Sequence, residues 1–154
     1  MSTDAGEPDA TSSDDEGIEL RLEVVVVPVS DVDHAKTFYT EKLGFNADVD
    51  QQVSEEMRVV QLTPPGSACS VTIGTGMAAM EPGSLKGLQL IVSDIRKARA
   101  HLAGRGVEIS EVQVFDSGSP RPIREGDDLD FAGFAFFKDP DGNGWAVQQM
   151  PDGR

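Results

Sequence analysis

From Leu20 the run Leu-Arg-Leu-Glu-Val-Val-Val-Val-Pro-Val is rich in β-branched residues and long enough for a buried strand. Pro28 has no amide hydrogen to give a ladder, which puts it near the strand's end or at a sheet edge. Ser30 or Asp31 then caps a helix in which Val32, Ala35, Phe38, Tyr39 and Leu43 recur at helical spacing. Gly44 closes that helix, as expected of a left-handed C-terminal cap. Residues 45–50 and 57–63 read as strands, Pro64-Pro65-Gly66-Ser67 as a turn, and residues 69–74 as the returning strand. The first half is therefore strand, helix, then three strands.

The pattern then repeats. Residues 88–92 form an apolar strand, and Ser93-Asp94 precedes a helix with Ile95, Ala98 and Leu102 on one face. Ser30, Asp31, Val32 and Ala35 match Ser93, Asp94, Ile95 and Ala98 at a constant offset of 63, and Gly106 answers Gly44 one residue out of step. The turn at Pro65-Gly66-Ser67 has its counterpart in Asp141-Gly142-Asn143. The extra length falls in residues 116–130, a polar stretch with Gly and Pro that reads as an inserted loop, either a lid or an ordinary mobile segment. Asp139-Pro140-Asp141-Gly142-Asn143 is a strong hairpin signal, with strands expected over 131–138 and 145–150. Two copies of βαβββ are the simplest account, so the fold class is α+β. The predicted organisation is one domain over 18–152, with module one at 20–77 and module two at 85–151.

Composition narrows the function classes. The 154 residues carry 27 acids against 13 Lys and Arg, a net charge of −14. Phosphates and anionic lipid would be repelled, so neither nucleic acid nor a membrane surface is an expected partner. No apolar run approaches the length of a membrane span. Residues 1–17 hold six acids, no Lys or Arg, and no large apolar residue except Met1, so they are expected to form a disordered acidic tail and not a secretory signal. The single cysteine, Cys69, cannot pair within the chain, which fits a reducing cytoplasm, the expected location.

Val29-Ser30-Asp31 leading to Phe38-Tyr39 and Leu43-Gly44-Phe45, then Val92-Ser93-Asp94 and Asp139-Pro140-Asp141-Gly142-Asn143, resembles the vicinal oxygen chelate superfamily. That group includes glyoxalase I, extradiol dioxygenases, fosfomycin-resistance transferases and bleomycin-resistance proteins. The resemblance covers about residues 20–151. It implies that the two modules curl into a mixed-sheet cup with helices outside, and that the cup binds a small molecule. It also implies that modules pair within one chain or between two, so a homodimer is a possible partner arrangement.

The family's enzymes commonly hold a divalent cation in the cup, since a metal polarises a carbonyl or grips two adjacent oxygens. Carried onto this chain, the ligand positions fall on Val24, on Gly87, on Ser70 or Thr72, and on Ala146 or Gln148. None is His, Asp or Glu, so no metal and no other cofactor is expected. His34 and His101 lie on helices off the apolar stripe and read as solvent-facing or boundary helix residues. Cys69 has no histidine placed to activate it and reads as inert. Arg121 and Arg124 are basic groups near a conceivable cup mouth, with solvated loop charges as the plainer reading. Catalytic residues are not identifiable.

If the cup shares the parity of the lost ligands, Val24 and Val26 with Pro28 line it from the first strand, Gln89 and Ile91 from the matching strand, and Thr72 and Gln148 from the closing strands. Trp145 is either a ring that stacks on ligand or a core residue. Apolar walls with a few uncharged hydrogen-bonding groups suit binding better than proton transfer. The leading expectation is a metal-independent binder of an apolar or ring-containing molecule. The alternative is a glyoxalase-like or dioxygenase-like enzyme working through a non-standard site.

Overall fold

The computed structural model describes residues 17–77 and 79–151. The expected acidic tail lies outside the described residues except for Gly17. Among the described residues, no helix is long and apolar enough to cross a membrane.

Two open mixed sheets and two short helices build the chain, in agreement with the α+β reading. Strands β1 (Val24–Val26), β2 (Asn46–Gln52), β3 (Arg58–Thr63) and β4 (Ser70–Thr75) form the first sheet, in the order β1-β4-β3-β2. The second sheet contains β5 (Leu88–Val92), β6 (Gln113–Phe115), β7 (Pro120–Pro122), β8 (Gly133–Lys138) and β9 (Gly144–Gln149), in the order β5-β9-β8-β6-β7. In each sheet the strand before the helix pairs in parallel with the last strand, β1 with β4 and β5 with β9, and the other pairs are antiparallel.

The duplicated helix starts share one chemistry. Helix α1 (Val32–Thr37) begins at Asp31, whose carboxylate accepts the amide of His34 at 3.0 Å. Helix α2 (Ile95–Gly104) begins at Asp94, which accepts the amide of Lys97 at 3.1 Å. Each satisfies one of the amides a helix start leaves unpaired. The first helix then widens into a π turn over Phe38–Lys42, closed by the Leu43 amide on the Phe38 carbonyl at 3.2 Å. Gly44 follows at φ 78°, the left-handed conformation expected there.

Three expectations need correction. The first strand is three residues long, not ten. Leu20 and Leu22 are 92% and 68% exposed, because β4 begins at Ser70 opposite Val24 and offers nothing for them to pair with. The stretch 116–130 is not wholly a loop: Pro120–Pro122 adds an edge strand to β6, and Leu129 is buried in the core. The first helical segment is not uniformly α, as the π turn shows.

One core joins both halves. Val60, Leu62, Val71 and Ile73 from the first sheet share it with Ala135, Phe137, Trp145 and Val147 from the second. The π turn supplies the bridge. Phe38 packs against Phe137 with ring centroids 6.4 Å apart, and Tyr39 and Phe45 lie 5.8 and 5.9 Å from Trp145. A polar clasp runs beside these rings. The Tyr39 hydroxyl donates to Asp139 at 2.7 Å and accepts from the Trp145 indole at 3.0 Å. Asn143, wholly buried, donates to the Pro28 carbonyl and to Asp139, both at 2.8 Å, and accepts the Leu85 amide at 3.0 Å. Ser30 donates from its hydroxyl to Asp141 at 2.6 Å. The hairpin motif read as a turn is thus also the lock between the halves.

Candidate functional site

Alternation along β8 and β9 sends side chains to two faces. Ala135, Phe137, Trp145 and Val147 enter the core, while Phe134, Phe136, Ala146 and Gln148 take the opposite, open face. Phe115 on β6 joins them. Its ring lies 5.2 Å from Phe134 and 6.0 Å from Phe136, and Phe134 and Phe136 stack at 6.2 Å with an interplanar angle of 7°. Phe136 is 38% exposed and Ile91, paired with Gln148 on the neighbouring strand, is 49% exposed. An open sheet face therefore carries three clustered rings and an isoleucine, a patch that marks an interaction site more often than ordinary surface.

Polar groups border the patch. Gln89 donates to the Gln148 carbonyl oxygen, and Gln148 donates in turn to the Phe131 carbonyl at 2.8 Å. Gln148 is thereby held at both ends of its amide, whereas Gln89 remains exposed. Phe131 holds a left-handed backbone at φ 66° with its ring 56% exposed, a costly arrangement for a non-glycine residue. The first sheet's open face is more polar. Val24 and Val26 pair with Ser70 and Thr72, and Gln61 lies opposite Thr72. The Thr72 hydroxyl is buried and has no hydrogen-bond partner among the described residues.

The structure places the expected site residues in three groups. Trp145 lines a cavity of about 940 Å³ between the first helix and the end of β8 and β9. It is only 4% exposed, and its indole N–H is committed to Tyr39, so it forms wall and core rather than a free stacking ring. Gln89 and Ile91 line a second cavity of about 690 Å³, between β5, α2 and the turn at Pro64–Ser67. Val24, Val26, Thr72 and Gln148 line neither. Neither of these two cavities gathers the seven positions.

His34 lines the larger cavity and His101 the smaller, both exposed on their helices. Among the described residues, no group of three or more His, Cys, Asp or Glu is placed to hold a metal ion. The positions carried over from the metal-binding enzymes offer alkyl groups, hydroxyls and an amide already engaged, a donor set unsuited to a divalent cation. Cys69 is half-buried, with its thiol 3.6 Å from the Ser70 carbonyl. Arg121 is taken up by Asp127 at 2.9 Å and Asp116 at 2.8 Å, which removes it as a free ligand contact. The perturbed phenol at Tyr39 serves the clasp: burial, then the Asp139 carboxylate, push its pKa far above the ordinary tyrosine value.

Sequence reasoning missed the phenylalanine cluster. Its signal was present in Phe134-Ala135-Phe136-Phe137, but apolar residues on both parities conceal which face is open.

The sequence model for the Glyoxalase/Bleomycin resistance protein/Dioxygenase superfamily matches residues 21–147. No curated protein matches the chain. Among solved structures, TnmS3, an antibiotic binding protein from Streptomyces sp. CB03234, is 31% identical with a TM-score of 0.67, covering 86% of this chain and 97% of that one. A glyoxalase/bleomycin resistance protein from the same organism is 32% identical with a TM-score of 0.64, covering 84% and 100%. A superfamily member from Sphaerobacter thermophilus DSM 20745 is 28% identical with a TM-score of 0.68, covering 86% and 98%.

Proposed function

The chain belongs to the glyoxalase/bleomycin resistance protein/dioxygenase superfamily, and from that premise we propose that it is a metal-independent binder of an apolar, ring-containing small molecule. The observation that carries this reading is the cluster of half-buried Phe115 and Phe134 with exposed Phe136 on the open face of the second sheet. Flat rings offer large contact area at little entropic cost and favour offset or edge-on aromatic partners. Gln89, beside the cluster, supplies an orienting amide. Rings, an alanine and a glutamine make up that face of β8 and β9, with Lys138 at its end as their one titratable side chain, a set that suits retention better than turnover. The similarity to an antibiotic binding protein supports the same class of activity.

In this reading a second copy completes the cup. The Val24, Val26 and Thr72 face and the Gln89, Ile91 and Gln148 face share neither of the two described cavities, and each offers a surface a partner sheet would cover. Closure around ligand would give the unpartnered Thr72 hydroxyl an acceptor or donor.

Calorimetric titration with 2-naphthamide, a neutral two-ring probe, tests the proposal. Binding should weaken roughly five- to tenfold in Phe134→Ala and in Phe136→Ala, since a stacked ring contributes about 1 kcal/mol beyond its buried area. Addition of Zn²⁺, Ni²⁺, Mn²⁺ or Fe²⁺ should leave the affinity unchanged. Metal-dependent binding, or affinity indifferent to both substitutions, would refute the proposal. Sedimentation equilibrium should give twice the chain mass; a monomer that binds normally would remove the shared cup.

A further inference from the structure

The chain is strongly acidic, with a net charge of −14, yet three of its five lysines line the larger cavity. Lys42 closes the π turn, Lys86 precedes β5, and Lys138 ends β8. They come from distant parts of the sequence and meet only through the fold. The lysine side chains at 42 and 138 have no hydrogen bond or ion pair among the described residues. Lys86 is held by two carbonyls, Gly83 at 3.0 Å and Gly142 at 2.6 Å, which fix its position without cancelling its charge. Two acids also line the cavity. Asp139 is buried and turned inward, accepting from Tyr39, from Asn143 and from the amides of residues 141–143. Glu108 alone is an exposed carboxylate there.

The cavity's apolar wall is aromatic: Phe38, Phe137 and Trp145 behind, and Phe136 at the front. Phe136 also belongs to the ring cluster on the second sheet, so the cationic cavity and the ring platform are continuous. Gly87 and Gly144 also line the cavity, and the Lys86 side chain lies against Gly144, where an added Cβ would come within 3.2 Å of its Cδ. An anion would be repelled by most of this protein's surface. Three lysines beside an aromatic wall make this cavity a local exception.

We infer that the ring-containing ligand is an aromatic carboxylate, with its rings on Phe134 and Phe136 and its acid group received by Lys42, Lys86 and Lys138. This assignment rests on the ring-binding reading and adds the ligand's charge and orientation to it.

Matched titrations separate the two. The probes are 2-naphthoate and 2-naphthamide, equal in shape and different in charge, with the emission of Trp145, the chain's one tryptophan, as a second readout. In low salt the carboxylate should bind about tenfold more tightly than the amide, and the preference should shrink as salt is raised towards about 1 M. Lys42→Gln and Lys138→Gln should each lower naphthoate affinity about threefold or more and leave naphthamide unchanged. Both lysines are exposed, so folding is not at stake. Lys97→Gln, at the other cavity, should change neither. Equal affinity for the two probes overturns the carboxylate assignment and leaves the ring-binding reading intact. A preference unmoved by both substitutions also overturns it. Binding of neither probe overturns both readings.

Discussion

Replacing Asn143 by alanine probes the clasp that joins the two halves. The side chain is wholly buried and makes three hydrogen bonds: to the Pro28 carbonyl and the Asp139 carboxylate, both at 2.8 Å, and from the Leu85 amide at 3.0 Å. Losing two neutral bonds costs roughly 1 kcal/mol each, and losing the bond to a carboxylate roughly 2, because the partners stay buried and unpaired. The total is about 4 kcal/mol, a large share of the ~5–15 kcal/mol typical of a domain. With a urea dependence near 2 kcal/mol per molar, the unfolding midpoint should fall by about 2 M. The assay is equilibrium urea unfolding followed by far-ultraviolet circular dichroism, with Asn46→Ala on an exposed strand as the comparison. Asn143→Asp should do no better than alanine, since it sets a second carboxylate against Asp139. A loss under about 1 kcal/mol with an unchanged slope would show that the amide is not sealed from water and would refute the reasoning.

Alkaline conditions test the same clasp through Tyr39. Its folded pKa lies far above the ordinary 10.0, so the protonated phenol is favoured by folding. Stability is full below about pH 10 and declines above it by up to about 1.4 kcal/mol per pH unit, a decline that Tyr39→Phe should lack. Tyr39 is the chain's one tyrosine, so phenolate absorbance should stay absent at about pH 11 in the folded protein and appear in urea. On the acid side, Arg121 and then the Arg124 amide hold the Asp127 carboxyl down to about 2 from 3.8. That contribution is present above pH 3.8 and is lost as pH falls through about 2; Asp127→Asn should flatten this limb of the stability curve. Gly83 sits at φ 83°, and a Cβ there would fall 2.0 Å from the Asp141 carbonyl oxygen. Gly83→Ala should therefore cost more than about 2 kcal/mol in thermal unfolding, while Gly118→Ala, at φ 93° with open space around it, should cost about 1.

The elements that were legible in the sequence are those whose causes are local. Asp31 and Asp94 cap their helices because a carboxylate three residues before an amide reaches it without help from the rest of the fold. Gly44 and Gly106 mark helix ends because only a left-handed residue turns the chain there. Residues 88–92 were legible as a strand from their apolar run. What stayed hidden depends on partners. Leu20 and Leu22 look like strand residues, but pairing begins only at Val24. Pro120 and Pro122 argue against a strand until β6 is seen to leave an edge position where a proline is tolerated. Gln113–Phe115 has no strong signal of its own and is a strand because β7 and β8 flank it.

The site divides in the same way. Parity alone relates Gln89, Ile91 and Gln148, since alternation is a property of the strand itself and the register pairs Gln89 with Ala146 and Ile91 with Gln148. Parity could not show that Gln148 spends both ends of its amide on Gln89 and Phe131. It could not choose between Phe136 and Phe137, adjacent rings of which one enters the core and the other faces out. The lysines at 42, 86 and 138 share no motif or spacing, and only the folded chain reveals them as neighbours of one cavity.

The most direct test of the ring platform is an isotope-filtered nuclear Overhauser experiment on the protein saturated with 2-naphthoate. Cross-peaks from the naphthyl protons to the rings of Phe134 and Phe136 are the predicted result. Cross-peaks confined to Leu102 and Pro64, in the smaller cavity, would place the ligand elsewhere and contradict the account.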